Sequence, residues 1–332
     1  MKQGEYMDEI LVTGSCGFIG FYVSKALLDL GYGVVGYDNM DDYYDVRLKK
    51  ARLEILKSYK KFIFYEANIC DAFSLEQVAS LHNFEVVIHL AAQAGVRYSL
   101  LCPEKYIETN IVGTFQVLEL CRKHKIGYLM YASSSSVYGD TKINKLSLDL
   151  KTDSPISLYA ATKKSDEVLV HVYCNNFGLN AIGMRFFTVY GPLGRPDMAY
   201  YKFVDKILCG EPIQVYNFGK QYRDFTYIDD LVDGIIKLFI HGMKLQCNKG
   251  IYECYNLGSG NPVELMVFIE TLEEIVGKKA IKQMCEKRIG DVEKTYADIS
   301  DIQGVCDFYP KTCIKEGLEK FYNWYKEYHG CS

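Results

Sequence analysis

The stretch Glu9-Ile10-Leu11-Val12-Thr13-Gly14-Ser15-Cys16-Gly17-Phe18-Ile19-Gly20 decides how this chain folds. Its first five residues read as a short buried strand, and its glycines follow a GxxGxxG spacing ahead of an apolar helix over Tyr22–Leu30. One glycine serves a tight turn, one lets a pyrophosphate approach the backbone, and one lets the helix pack on the strand. A second strand over Gly33–Tyr37 ends at Asp38, just under twenty residues beyond Gly20. A carboxylate there can accept both ribose hydroxyls of an adenosine and repels a 2′-phosphate, which favours NAD over NADP; capping the next turn is its alternative use. Gly14, Gly17, Phe18, Ile19 and Gly20 are therefore the candidate cofactor loop, followed by Asp38 and Asn39.

Working outward, further strands are expected over Phe62–Ala67, Glu85–Leu90 and Gly127–Ala132. The first of these leads into Asn68-Ile69, where an adenine edge would lie, and the second through Leu90 into Ala91-Ala92, small residues against which a cofactor can rest. His89 in that strand reads as a packed core histidine rather than a ligand or base. The strand over Gly127–Ala132 runs into Ser133-Ser134-Ser135-Ser136-Val137-Tyr138-Gly139. Alternating strands and helices of this kind make an α/β, Rossmann-type doubly wound parallel sheet with ligands at the carboxyl ends of its strands, where each of these candidates falls. Tyr159-Ala160-Ala161-Thr162-Lys163 opens a later helix. Residues four apart share a helix face, so the Tyr159 phenol and Lys163 ammonium can sit side by side over a ligand. Bringing a tyrosine from its usual pKa of about 10 to about 7 needs roughly 4 kcal/mol of preference for the phenolate, and a neighbouring cation is a source of it.

The composition sets limits. At 332 residues, 49% hydrophobic and 24% charged, the chain can bury a large core or divide into two lobes, and it is not of the disordered class. A net charge of -4 argues against general binding to nucleic acid or a membrane surface. The basic run Arg47, Lys49, Lys50, Arg52, Lys57, Lys60 and Lys61 reads as the solvated face of an amphipathic helix. The first residues lack the apolar core of a signal peptide, no run is long enough to span a bilayer, and the 12 cysteines lack the spacing of a zinc site or a secreted scaffold. Free thiols, no metal site and a cytoplasmic location are the expectations.

These segments together resemble the extended short-chain dehydrogenase/reductases, and among them the NAD-dependent nucleotide-sugar 4-epimerases, from about Ile10 to about Asp298. The resemblance rests on GSCGFIG, HLAAQAGVRYS, SSSSVYG, YAATK, RFFTVYGPLGRPDM, YRDFTYIDD, YNLGSG and GDVEKTYAD. The run DNMDDYYDVRLKKARLEIL is similar to UDP-glucuronate 4-epimerases in particular. The resemblance implies Tyr159 as catalytic base, Lys163 as its electrostatic partner and nicotinamide-ribose anchor, and Ser134 as the hydroxyl on the sugar O4, with Ser136 as alternative or addition. It also implies that Asn110 lies on the helix behind the site and that Arg223, Arg288 and Asp291 hold UDP. Related dehydratases carry an Asp-Glu pair at Ser135-Ser136, and related UDP-glucuronate decarboxylases a glutamate at Ser136; with neither acid here, epimerisation at C4 remains.

For a glucuronate the 4-keto intermediate is a β-keto acid prone to lose carbon dioxide, so hydrogen-bond donors near C5 are expected. Thr188, where 4-epimerases of neutral UDP-hexoses commonly carry asparagine, is a candidate donor with the serine run. Arg97 and Arg195 are candidate partners for the carboxylate or the diphosphate, and each can equally form an ordinary ion pair. The alternative substrates are UDP-glucose and UDP-N-acetylglucosamine, and the alternative of another class is a non-catalytic NAD-binding sensor, against which the presence of Tyr159 and Lys163 weighs. Asn68 departs from a more usual aspartate, and Cys16 puts an oxidisable thiol into the phosphate loop.

Residues 1–183 are expected to form the NAD-binding domain and 184–332 a smaller, partly interleaved UDP-sugar lobe, with segments near 226–258 returning to the first. Those segments include an apolar helix over Leu231–Ile240 and a short strand and turn over Tyr255–Gly258; Val263–Val276 has helical spacing. The helices expected over Ile107–His124 and Tyr159–Phe177 carry more apolar residues than one face needs, and the resemblance implies a homodimer formed through them.

Overall fold

The computed structural model describes residues 9–245, 249–287 and 292–330. Its elements begin with β1 (Glu9–Thr13), α1 (Phe18–Asp29), β2 (Gly33–Asp38), α2 (Val46–Lys57), β3 (Phe62–Glu66), α3 (Ala72–Leu81) and β4 (Phe84–His89). After three short turns come α4 (Gly113–His124), β5 (Tyr128–Ser134), α5 (Leu158–Phe177), β6 (Asn180–Phe186), β7 (Thr188–Tyr190), α6 (Ala199–Cys209), β8 (Pro212–Val215) and β9 (Tyr222–Tyr227). The chain continues through α7 (Ile228–Leu245), β10 (Tyr252–Leu257), β11 (Pro262–Glu264), α8 (Leu265–Val276), β12 (Ile281–Met284) and α9 (Ile314–His329).

Seven strands form one sheet in the order β10-β6-β5-β4-β1-β2-β3. Ile10, Leu11 and Val12 are buried, as in a parallel strand covered by helices on both faces. β1 pairs parallel with β2 on one side, Thr13 opposite Tyr37, and with β4 on the other, Thr13 opposite His89. The chain order reverses across β1, so the carboxyl ends of β1 and β4 frame the topological switch point, where doubly wound sheets take their ligands. The sheet's core packs Leu11, Val35 and Val87 against Leu118 and Val117 of α4 and Val170 of α5.

The chain divides into two compact units. The first runs through Ser133 and adds Ser157–Met184 and Ile235–Cys254; it holds most of the large sheet. The second comprises Ser134–Ile156, Arg185–Gly234 and the chain from Tyr255. Its sheets are β11-β9-β7 and β12-β8, and its core is aromatic: Phe225 stacks on Phe268 at 4.4 Å between ring centroids and Tyr200 meets Phe321 edge-on at 4.8 Å.

Four expectations need correcting. α1 begins at Phe18 rather than Tyr22, because Gly17 takes the extended conformation of a helix N-cap and the last glycine of the loop lies inside the helix. The helix expected from Ile107 opens with a π-helical turn, Ile107–Val112, before α4. Val263 is in β11, paired with Arg223 of β9, and α8 starts only at Leu265. Lys49 and Arg52 do not belong to a solvated face: both are buried on the inner side of α2, next to the glycine loop.

Candidate functional site

In the first unit the glycine loop is shaped by backbone crowding. Gly14 has φ +70°, and a Cβ there would lie 2.7 Å from the Ala91 amide nitrogen; a Cβ at Gly20 would lie 2.0 Å from the Gly14 carbonyl oxygen. Only glycine fits either contact, and the loop is thereby drawn tight across the end of β4. No side chain caps α1 at Gly17, so the amides of Phe18 and Ile19 open the helix at the site, the arrangement that receives a phosphate. Cys16 is gripped from two sides: its N–H donates to Asp38 Oδ2 at 3.0 Å, and its carbonyl accepts from Arg52 Nη1 at 2.9 Å. Arg52, fully buried, also donates to the Tyr44 hydroxyl at 2.7 Å. The Cys16 thiol is fully buried, and burial together with the Asp38 charge pushes its pKa far above the thiol range, so the oxidisable thiol expected in this loop is an inert one.

Asp38 is placed both to brace the loop and to meet a ribose. Its second oxygen accepts the Met40 N–H at 2.8 Å, which is the turn-capping use, and Lys49 Nζ stands 3.9 Å away. Two N–H bonds leave a carboxylate lone pairs for ligand hydroxyls. Asn39 Oδ1 accepts from the Asp41 N–H, and Asn68 Oδ1 from the Cys70 N–H, so both amides stabilise their own turns. Ile69 is buried under Gly113, whose absent Cβ would lie 2.7 Å from it.

At the end of β4, the N–H groups of Leu90 and Ala91 both donate to Thr13 Oγ1 at 3.2 Å. The Thr13 hydroxyl lies 2.7 Å from His89 Nδ1, and His89 Nε2 lies 3.2 Å from Thr114 Oγ1. Thr13 uses its lone pairs on the two amides, so it donates to Nδ1, and Nε2 carries the ring proton. Burial, then the Lys163 charge, pulls the His89 pKa down to about 3. It is a neutral, satisfied core histidine, in agreement with the sequence reading.

α5 is capped by Ser157, whose Oγ accepts the Ala160 N–H at 3.1 Å. Tyr159 in its first turn is half-buried, with its ring edge-on to Tyr106 at 6.1 Å. The Asn110 amide sits in the π-helical turn and is fully buried: it accepts the Gln93 N–H at 2.8 Å and donates to the Gln93 carbonyl at 3.1 Å and to Thr162 Oγ1 at 2.9 Å. Thr162 in turn donates to the Tyr159 carbonyl at 2.9 Å. Lys163 Nζ lies 3.1 Å from Asp166 Oδ2. Arg97 is exposed and opens the short turn Tyr98–Leu101, and Ala92 follows Ala91 on the same loop.

In the second unit, Ser134 Oγ accepts the Ser136 N–H at 3.2 Å and caps the turn Ser135–Tyr138. The Tyr138 hydroxyl donates to Asn256 Oδ1 at 2.8 Å and accepts from Arg185 at 3.0 Å, which anchors that turn. Thr188 opens β7 opposite Phe225. Arg195 makes a two-pronged pair with Asp197 at 2.9 and 2.6 Å. Arg223 on β9 donates to the Tyr222 and Glu293 carbonyls at 3.0 and 3.2 Å. Its neighbour Asp224 is fully buried and accepts from the N–H groups of Ser259, Gly260 and Ala297 at 2.6, 3.0 and 3.0 Å, pinning two segments to the strand. Arg288 and Asp291 lie outside the described residues.

The structure thus brings the cofactor candidates together around the switch point of the first unit. Arg52, Thr13 and Asp166 of this surround, and Asp224 in the second unit, were missed in the sequence. For Asp166 a signal exists, an acid three residues beyond Lys163 on one helix; for Arg52, Thr13 and Asp224 the contacts with Cys16, His89 and Ala297 cross 36, 76 and 73 residues of chain and have no local signature. Among the described residues no helix is long and apolar enough to cross a membrane.

A glycine cradle that a Cβ would fill, at the switch point of a doubly wound sheet, with a tyrosine and a lysine one turn apart on a neighbouring helix, defines a dinucleotide-binding α/β protein equipped for proton transfer at a hydroxyl. The chain belongs to the NAD dependent epimerase/dehydratase family, whose profile matches residues 10–258. It is 44% identical over 331 residues to a probable UDP-glucuronate 4-epimerase of Rhizobium meliloti, covering 96% of each chain. The structure resembles the Bacillus cereus UDP-glucuronic acid 4-epimerase solved with UDP-glucuronic acid and NAD, with TM-score 0.89, 35% identity and coverage of 96% of this chain and 99% of that one. It also resembles the Thermotoga maritima UDP-glucose 4-epimerase solved with UDP-glucose, with TM-score 0.85, 29% identity and coverage of 97% and 99%.

Proposed function

We propose that the protein interconverts UDP-glucuronate and UDP-galacturonate by epimerisation at C4. The observation that carries this reading is likeness over nearly the whole chain to UDP-glucuronate 4-epimerases, at 44% identity to a probable one and at 35% to the solved Bacillus cereus enzyme, against 29% to the solved enzyme of the neutral sugar. Bound NAD supplies a reversible hydride acceptor for the sugar C4. Gly14, Gly17, Phe18, Ile19 and Gly20 hold its diphosphate through backbone amides, Asp38 its adenosine ribose, and Lys163 its nicotinamide ribose. Tyr159 as phenolate takes the C4 hydroxyl proton, with Ser134 on O4 and Ser136 beside it, and returns the proton after the 4-keto sugar has turned over. Asn110 fixes Tyr159 by tying the first turn of α5 to the Gln93 backbone. Arg223, with Arg288 and Asp291, holds UDP.

A uronate adds the task of holding the carboxylate out of line with the developing C4 carbonyl. Thr188 and the serine run are its donors, and Arg97 pairs with the carboxylate or diphosphate. Arg195 is held two-pronged by Asp197, so any substrate role for it requires exchanging that partner.

Incubation with UDP-glucuronate, UDP-glucose and UDP-N-acetylglucosamine separately, followed by proton NMR and carbon dioxide release, tests the reading. UDP-galacturonate from the first alone, without carbon dioxide, is the expected result; turnover of neutral sugars only would replace the substrate and leave Tyr159 and Lys163 in place. We infer a cytoplasmic location, where free thiols persist, and a homodimer formed through α4 and α5.

A further inference from the structure

Lys163 has a charge partner that the proton-transfer chemistry does not call for. Its Nζ lies 3.1 Å from Asp166 Oδ2, and the two side chains are 3% and 1% exposed. A buried ammonium and carboxylate in contact present little net charge at a distance, whereas Lys163 favours a phenolate at Tyr159 only through the positive charge felt one turn away. The Thr114 hydroxyl of α4 also donates toward the Asp166 carboxyl.

The surroundings are otherwise neutral or already paired. On α5, Glu167 takes the Ser133 hydroxyl at 2.7 Å and Lys164 at 3.4 Å. From α4 the uncharged Thr114 hydroxyl faces the Asp166 carboxyl, and behind it stands His89 of β4, kept neutral by burial. Burial raises the Asp166 carboxyl to about 6 against the opposing pull of Lys163.

We propose that Asp166 is a positioning residue that holds Lys163 Nζ and offsets its charge, and that it thereby sets the pH above which Tyr159 serves as base. The ionised carboxylate weakens the field of Lys163 at Tyr159; a neutral side chain at 166 leaves that field whole. The proposal rests on the base role given to Tyr159, and its test does not depend on the identity of the sugar.

The test titrates Tyr159 by tyrosinate difference absorbance in the NAD-loaded protein, with Tyr159→Phe as the background, and compares wild type with Asp166→Asn. The midpoint is expected to fall by about one pH unit in the Asn variant, as the removal of one nearby charge at intermediate dielectric predicts. The acid limb of kcat should move with it. An unmoved or raised midpoint overturns the proposal. Failure of UDP-glucuronate to react would remove the proposed substrate while leaving this titration intact. Asp166→Ser carries the same comparison should the Asn variant not fold; failure of both to fold also overturns it, by showing a framework residue instead.

Discussion

His89 carries its consequence in the fold rather than in the chemistry. Its pKa is about 3 in the folded protein, against about 6.5 for a free histidine, because burial and then Lys163 oppose its charging. A depressed histidine adds stability that is fully present above pH 6.5 and is lost as pH falls toward 3, at about 1.4 kcal/mol per pH unit. Asp166 acts in the opposite sense: with a folded value of about 6, its contribution is present below the ordinary carboxylate range and is lost as pH rises through 6. Replacing His89→Gln should therefore destabilise the protein at pH 7 and do so progressively less as pH falls from 6.5 to 5, by about 1.4 kcal/mol per unit. Urea unfolding of both proteins across that range checks this, and a pH-independent gap would refute it. Gly20 gives a harsher case. Its missing Cβ would stand 2.0 Å from a backbone oxygen that no rotamer can move, so Gly20→Ala should abolish NAD retention, measured by the cofactor content of the purified protein, even where the fold survives.

At the scale of elements, the π-helical turn Ile107–Val112 has a visible purpose: it carries Asn110, which joins the loop after β4 to the first turn of α5. Asn110→Ala leaves the Gln93 backbone groups unpaired and should cost about 1 to 3 kcal/mol. kcat should fall while NAD binding persists, because the loss falls on the placing of Tyr159; an unchanged kcat would separate Asn110 from it. β1 to β5 were legible in the sequence to within a residue or two, since Ile10–Val12 and Val86–Ile88 are continuous apolar runs that only a sheet covered on both faces buries, whereas β6 to β9, β11 and β12 were not read. The glycine loop was legible through its own spacing. The π-helical turn was not, because its reason lies at Thr162, 52 residues further along the chain. Nor was the burial of Lys49 and Arg52: a basic run looks solvated until the Cys16 carbonyl and the Asp38 carboxylate are seen to need donors there. Asp166 stood in plain view, but its pairing with Lys163 depends on a burial that helical spacing alone does not reveal.

At the scale of the whole molecule, the first unit presents an apolar surface its own core does not use. Phe115 of α4 is 42% exposed and Val168 and Val172 of α5 are 53% and 42% exposed, with Ile107 and Phe177 exposed at the outer ends of the same two segments. Large side chains grouped in this way mark an association surface more often than chance solvent exposure does. A second copy presenting the same two helices would bury them in a four-helix arrangement, and a stable interface needs about 800 Å² from each partner. At roughly 25 cal/mol per Å² of apolar area, the central residues of such a patch decide whether the dimer persists. Light scattering at micromolar concentration should give twice the chain mass for the wild type. Phe115→Glu combined with Val168→Glu should give the chain mass itself, because each copy would then bury two carboxylates, four in all, without partners at a symmetric contact. A wild type that is already monomeric removes the dimer; a dimer untouched by the double substitution moves the interface away from α4 and α5.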